Sequence, residues 1–243
     1  MVNPRNFPLA VVTGAAHRLG RAFAVSLARL GYAVVLHYYK LADEAQATAE
    51  EISALGVPVK VVQGDLTDYL QIEELFSQVD SVGFPLEVLV NSAALMNYGI
   101  LSDTGVAEYD STMDLNLRAP FFCAQLAASR MKPGGLIVNV SDIGAHKVWT
   151  GYPVYVMSKA GLESLTRVLA RTLAPSVRVN AIAPGLVYQS GNLTAEEWQR
   201  LIGRIPLKRS ATPGEVTNVL DFLLKNEYIT GQTIVVDGGY SLL

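Results

Sequence analysis

Short apolar runs alternate with helix-like stretches along the whole chain, and no other feature restricts the fold as much. The runs are Leu9–Thr13, Ala33–Tyr38, Val57–Gln63, Leu86–Asn91, Gly135–Ser141, Val177–Ala181 and Thr233–Val236. They are rich in valine, isoleucine and leucine, as strands buried on both faces of a sheet are. Between them, Arg18–Leu30, Leu41–Leu55, Asp68–Val79, Gly105–Met131, Tyr152–Ala174 and Pro213–Leu224 carry helix patterns. Pro120 predicts a kink in the long Gly105–Met131 stretch, or a helix start within it.

Strands alternating with helices predict a parallel, doubly wound sheet of seven strands with helices on both faces. No composition shift, linker or repeat divides the chain, so one α/β domain over residues 1–243 is expected. In such a sheet the loops at the carboxyl ends of the strands share one edge, where ligands bind. The segments TGAAHRLG, HYYK, GDL, NSAALM, SDIG and APGLVY all fall there. Their convergence says more than any one of them.

Composition narrows the function classes. Half the residues are hydrophobic and the net charge is only −3, with the signs mixed. No basic stripe points to nucleic acid, and no polybasic or long apolar segment points to a membrane. The start MVNPRNFPLA lacks the pattern of a secretion signal. One cysteine, Cys123, in the apolar run PFFCAQLAA, fits a core position and a reducing, cytoplasmic setting. His17, His37 and His146 are scattered, so no metal site is expected.

Ser141–Lys159 carries the chemistry. Tyr155 and Lys159 stand four apart, on one face of a helix, where an ammonium can lower a phenol's pKa. Asp142 lies upstream, next to Ile143-Gly144, as a proton-handling carboxyl or as a turn cap. In TGAAHRLG, Gly14 suits a tight turn and Gly20 suits close packing of a helix on the first strand. The exposed N–H groups of that helix start can hold a diphosphate. By themselves two glycines also fit an ordinary strand–helix turn. The second strand ends Leu36-His37-Tyr38-Tyr39-Lys40, without the acid that holds an unphosphorylated ribose. Lys40, with His37 and His17, suits a 2′-phosphate instead, which points to NADPH.

From Leu9 onward these motifs, with Gly64-Asp65-Leu66, Asn91-Ser92-Ala93-Ala94, Asn116 in DLNLRAPF, Asn180-Ala-Ile-Ala-Pro184-Gly185 and the ending TGQTIVVDGGYSL, resemble the short-chain dehydrogenase/reductase superfamily. Three details resemble its pteridine reductases and dihydromonapterin reductases. Arg18 stands at the middle-glycine position, the second strand reads LHYYK, and Asp142 replaces the usual serine.

The resemblance implies a Rossmann-type fold, a homotetramer and reduction of a pterin or folate C=N bond by NADPH. Tyr155 would donate the proton, Lys159 would hold the nicotinamide ribose, and Asn116 would hold a relay water. Cofactor contacts would come from Gly14, His17, Arg18 and Leu19 in the first turn, and from His37, Tyr38 and Lys40 after the second strand. Asp65 and Leu66, Asn91 to Ala93 (with Ser92), and Pro184, Gly185 and Leu186 would complete them, beside Tyr155 and Lys159. The substrate would meet Arg18, Met96, Asp142, Trp149, Tyr155 and Gly185. Met96 replaces the family's stacking aromatic, and Trp149 is the candidate substitute. Tyr98 and Tyr188 could also line the pocket. Val187 stands where the superfamily often has a hydroxyl. The loop at about 186–210 would be a lid. Two other readings stay open: a carbonyl reductase, for example of 3-oxoacyl thioesters, and a non-catalytic nucleotide-binding protein.

Overall fold

The computed structural model describes residues 7–191 and 193–243. Residues 1–6, on which the expectations about a secretion signal and the domain start fall, and Asn192 of the 186–210 loop lie outside the described residues. The strands are β1 (Leu9–Val12), β2 (Ala33–Tyr38), β3 (Val59–Gln63), β4 (Leu86–Asn91), β5 (Gly135–Val140), β6 (Val177–Pro184) and β7 (Thr233–Val236). They form one parallel sheet in the order β3-β2-β1-β4-β5-β6-β7, the predicted doubly wound topology. The helices are α1 (Arg18–Arg29), α2 (Ala42–Ala54), α3 (Tyr69–Asp80), α4 (Val106–Met113), α5 (Ala119–Ala128), α6 (Pro153–Leu173), α7 (Ala195–Arg204) and α8 (Pro213–Lys225).

Successive strand residues point to opposite faces, so each strand feeds two cores. Ala10, Val12, Val34, Leu36, Val88, Val90 and Val138 meet Phe23, Leu27, Ile52 and Leu220 on one face. Leu9, Val11, Val35, Leu89, Ile137 and Val179 meet Ile72, Phe76, Cys123 and Leu169 on the other. Cys123 is fully buried, and burial pushes its thiol up to about 12. No helix among the described residues is long and apolar enough to cross a membrane.

Of the two alternatives at Pro120, a helix start within the Gly105–Met131 stretch is the one found: α4 ends in a π turn, Asp114–Arg118, and α5 begins with Pro120 in its first turn. Proline has no N–H and its ring collides with the carbonyl four residues back, so the ladder widens there. β6 continues to Pro184 instead of stopping at Ala181, because β7 pairs with it from Ala181 to Pro184.

The edge of the sheet at β1 and β4 is built by close backbone approach. Gly14 has φ +63°, and a Cβ there would stand 2.8 Å from the Ala93 Cα. A Cβ on Gly20 would lie 2.1 Å from the Gly14 carbonyl oxygen. Only a side-chain-free residue lets α1 seat on that turn. Gly20→Ala is therefore expected to cost about 1–3 kcal/mol through forced backbone displacement. The urea midpoint checks this, and a midpoint equal to the parent's would contradict the close seating.

Candidate active site

The first turn is held from three sides. The Thr13 hydroxyl accepts from the backbone N–H groups of Ser92 and Ala93, at 3.0 and 3.1 Å. The Gly14 N–H donates to Nδ1 of His37 at 3.2 Å, and the His37 ring meets the Gly64 carbonyl through Nε2 at 3.0 Å. A ring accepting at Nδ1 carries its proton on Nε2. His37 is 2% exposed, and burial lowers its pKa to about 4, so it is neutral at pH 7. The expected role for His37 at a 2′-phosphate is thus corrected. Both nitrogens are committed within the chain, and its work is to tie β1, β2 and β3 together beneath the turn.

His17, Arg18 and Lys40 remain exposed at this edge. Arg18 adopts φ +49°, a left-handed conformation that costs a residue with a Cβ about 1–2 kcal/mol. Strain of this kind persists where the surroundings enforce it, often at ligand sites. The conformation also explains why glycine would be expected there. The Arg18 guanidinium lies 5.9 Å from the Tyr188 ring centroid and 3.4 Å from the Gln189 carbonyl, so it bridges the turn to the 186–210 loop. α1 starts at His17 without a side-chain cap, leaving its first N–H groups open to an anion. A cradle walled by two side-chain-free glycines, with an uncapped helix start and two cations at its rim, fits a phosphorylated dinucleotide.

Around it, Asp65 accepts from the N–H and hydroxyl of Thr67, at 2.9 and 2.7 Å. Burial works to raise its pKa but is outweighed by Thr67, the Tyr39 hydroxyl and Lys40, so the net shift is downward. The side chains of Leu66, Leu19 and Tyr38 pack into the cores, and the Tyr38 carbonyl accepts the Gly64 N–H at 3.0 Å. Asn91 is buried and donates to Asn139 at 2.9 Å. The Gly185 N–H donates to the Val236 carbonyl at 2.9 Å, and a Cβ on Gly185 would stand 2.8 Å from that of Asp237. Pro184 ends β6, and Leu186 packs on the Ile143–Ile205–Tyr240 cluster.

The catalytic candidates come together as β5, the short turn Ile143–Ala145 and α6 meet. Tyr155, buried, donates its phenolic proton to Oδ2 of Asp142 at 3.0 Å. Oδ1 of Asp142 accepts the Gly144 N–H at 2.6 Å, so the residue does cap its turn. Nζ of Lys159 is buried and donates to the Val140 carbonyl at 2.7 Å. Burial pushes Asp142 up to about 6, against the Gly144 N–H, the Lys159 charge and the Tyr155 hydroxyl, which favour the carboxylate. Burial lowers Lys159 to about 8, opposed by Asp142.

For Tyr155 the expected lowering is reversed. Burial, then the Asp142 charge and hydrogen bond, raise its pKa well above 10. In this geometry the ammonium faces a carboxylate as well as the phenol, and the phenol keeps its proton at neutral pH.

Asn116 sits in the π turn, fully buried. Its oxygen accepts the Leu95 N–H at 2.8 Å, and its amide donates to the Leu95 carbonyl at 2.8 Å and to the Ser158 hydroxyl at 3.0 Å. Both amide protons are therefore taken by the chain. The amide fixes the segment after β4 against α6. Met96, in that segment, lines an open cleft of about 530 Å³ with Asn97, Tyr98 and Glu108, and none of Asp142, Tyr155 and Lys159 borders it. Trp149 lies against Gly144, where a Cβ would be 3.1 Å from its ring, and against Tyr152, with centroids 6.2 Å apart. Tyr98 meets Tyr152 in turn at 5.5 Å.

Sequence reasoning missed Ser141, Ser158 and Glu163. Ser141 and Glu163 share a buried hydrogen bond of 2.9 Å, directly behind Asp142. The available signal was register: Glu163 follows Lys159 by four, as Lys159 follows Tyr155.

A profile of the family described as Enoyl-(Acyl carrier protein) reductase matches residues 14–241. The 3-oxoacyl-[acyl-carrier-protein] reductase FabG of Staphylococcus aureus is 36% identical over 237 residues, 95% of this chain and 96% of that protein. Among solved structures, the short-chain dehydrogenase/reductase of Serratia marcescens superposes with a TM-score of 0.93 at 30% identity, covering 98% of this chain and all of that one (100%). FolM Alternative dihydrofolate reductase 1 of Brucella canis, complexed with NADP, gives a TM-score of 0.92 at 32% identity, covering 98% and 95%. Sheet order, glycine turn and Tyr–Lys pair thus define a Rossmann-like nucleotide-dependent reductase. The chain belongs to the short-chain dehydrogenase/reductase superfamily.

Asn116→Leu keeps the volume and removes all three hydrogen bonds. The Leu95 N–H and C=O then lose their partner, at an expected cost of about 1–3 kcal/mol for each group left dry, while the Ser158 hydroxyl keeps its bond to the Tyr155 carbonyl. Chemical denaturation reads the loss, and unchanged stability would show that water replaces the amide there.

Proposed function

We propose that the protein is an NADPH-dependent reductase of the C=N bond of a dihydropterin, pterin or dihydrofolate. The observation that carries this reading is the Asp142–Tyr155 hydrogen bond, which puts a carboxyl where carbonyl reductases of the family use a hydroxyl. A hydroxyl donates to the negative charge growing on a carbonyl oxygen; a carboxylate repels it. A carboxyl held near pKa 6 can instead give a proton to a ring nitrogen or accept an N–H from one. The likeness to the Brucella FolM structure agrees with this reading.

NADPH, when bound, supplies the hydride. Gly14, Arg18 and the start of α1 would hold its diphosphate, and Lys40 with His17 would meet the 2′-phosphate. Arg18 reaches from there toward the substrate, whose outer wall is the 186–210 loop acting as a lid. The carboxyl of Asp142 gives its proton to the ring nitrogen as the adjacent carbon takes the hydride, so C=N becomes CH–NH. The carboxylate left behind would be held by the Gly144 N–H, the Tyr155 hydroxyl and the Lys159 charge until a proton from solvent restores the carboxyl. A homotetramer is part of the same reading.

A second reading is a 3-oxoacyl thioester reductase. It is favoured by the 36% identity to the Staphylococcus aureus FabG protein. NADPH oxidation measured side by side with dihydrobiopterin, dihydrofolate, dihydromonapterin and an acetoacetyl thioester separates the two. Turnover of the pterins or dihydrofolate is expected. Asp142→Ser is expected to lower their kcat/KM about 100-fold, the scale of one positioned proton donor. Preference for the thioester, or pterin reduction unchanged by Asp142→Ser, would sink the first reading. Failure of all four substrates would favour a nucleotide-binding protein.

The pH dependence has a definite sign. Asp142 acts protonated, so kcat/KM for the pterin is expected to be flat below about pH 6 and to fall as the pH rises through that value. Asp142→Asn should remove this limb along with most of the activity. A rate that climbs through pH 6 would contradict a protonated donor.

A further inference from the structure

We infer that Glu163, on α6, is a positioning residue that fixes the turn carrying Asp142 by gripping it at both ends. Ser141 immediately precedes Asp142, and its hydroxyl donates to Oε1 of Glu163 at 2.9 Å. His146 follows the turn Ile143–Ala145, and its Nε2 meets the same oxygen at 3.1 Å. One carboxylate oxygen thus fastens residues 141 and 146, with Asp142 and its turn spanning the interval. The inference rests on the reading of Asp142 as the group that handles the proton.

Three observations favour a positioning role over incidental packing. First, Glu163 continues a series. Tyr155, Lys159 and Glu163 are one helical turn apart, and they bind in order Oδ2 of Asp142, the carbonyl of Val140, and Ser141 with His146. Three successive turns of α6 therefore hold one segment, 140–146. Second, the Glu163 side chain is only 8% exposed. A carboxylate is expensive to bury, and an apolar side chain of similar size would pack there at lower cost. Third, Glu163 reaches both ends of the turn at once, whereas the other bonds hold one end each: the Ser141 N–H donates to the Ile182 carbonyl at 2.7 Å, and Nζ of Lys147 to the Tyr240 carbonyl at 3.1 Å.

His146 from the turn meets Glu163 at 3.1 Å, and the Glu163 charge acts on Asp142 beyond it. β5 contributes no charged group. β6 carries only Arg178, which donates to the carbonyls of Asn226 and Ile229.

The grip controls the distance from Asp142 to Tyr155 and the substrate nitrogen. Its loss should act on the chemical step more than on nucleotide binding, whose cradle lies on β1 and α1. A misplacement of about 1 Å at a reacting group can cost on the order of 100-fold. Glu163→Ala is expected to lower kcat for the pterin by about 10–100-fold with the KM for NADPH little changed. Glu163→Gln keeps an oxygen for Ser141 and His146. It should restore most of kcat while moving the Asp142 limb of the pH profile to lower pH, because the negative charge behind that carboxyl is gone. Thermal unfolding of both variants separates loss of fold from loss of position, and the Gln variant reads the charge even where the Ala variant unfolds.

The outcomes are distinct. Wild-type kcat in Glu163→Ala, with an unmoved limb in Glu163→Gln, overturns the inference while Asp142→Asn still removes the limb and leaves the reading of Asp142 standing. Pterin reduction that survives Asp142→Asn overturns that reading, and the inference with it.

Discussion

The site depends on one helix being locked to one strand. The face that α6 turns to the sheet is not apolar throughout: Tyr155, Ser158, Lys159, Glu163 and Thr166 are buried on it among leucines and valines. Each such group is costly without a partner, so each dictates where its partner must be. Asn139 on β5 donates to Thr166 at 2.9 Å and accepts from Asn91 on β4 at 2.9 Å. The polar line therefore runs from β4 through β5 into α6, and the helix cannot slide by one turn without orphaning every member. Hydrophobic burial alone would tolerate such a slide, because one leucine packs much like another. The buried polar atoms fix the register that puts Tyr155 beside Asp142.

The other half of the crevice is fixed by a different means. At the first turn there is little side chain to hold, and the constraint is absence of Cβ at Gly14 and Gly20. The hydroxyl of Thr13 and the neutral ring of His37 then fasten the turn to β4 and to β2 and β3. One wall is thus set by hydrogen-bonded side chains and the other by backbone contact. They meet at the end of β4, where Asn91 belongs to the polar line and Ala93 touches Gly14. That is the point at which the strand order reverses, and where a crevice opens in any sheet of this topology.

Much of this was legible in the sequence because it follows from period and spacing. β2, β4 and β7 begin and end where their apolar runs do, and the Tyr155–Lys159 pair follows from the helical repeat. The break between α4 and α5 was less legible. Pro120 announces a disturbance, but whether the ladder kinks, stops or widens depends on what the freed groups meet, and here Asn116 is directed at Leu95 and Ser158. His37 was misread for a related reason. A histidine near a strand end resembles a surface residue until the neighbouring strand and turn are placed over it. Glu163 was invisible because glutamate in a helix normally faces water; only the register it shares with Tyr155 and Lys159 marks it, and that register matters only once β5 is known to lie beneath. The loops converging on one edge could be read, but the atoms each commits to its neighbours could not.

The replacement of serine by Asp142 changes more than one contact. Beside a neutral hydroxyl, the phenol's only charged neighbour would be Lys159, and the pair alone would favour the tyrosinate. With a carboxyl bonded to the phenol the order is inverted. Lys159 lends its charge to Asp142, while Asp142 and burial hold the phenolic proton firmly on Tyr155. The acid of the site with an affinity near neutral is then the carboxyl, not the phenol. In the proposed reading this is why the substrate has to present a nitrogen. A ring nitrogen can take a proton from a carboxyl and then tolerate the carboxylate that remains, through its new N–H, whereas an alkoxide forming at the same place would face a like charge.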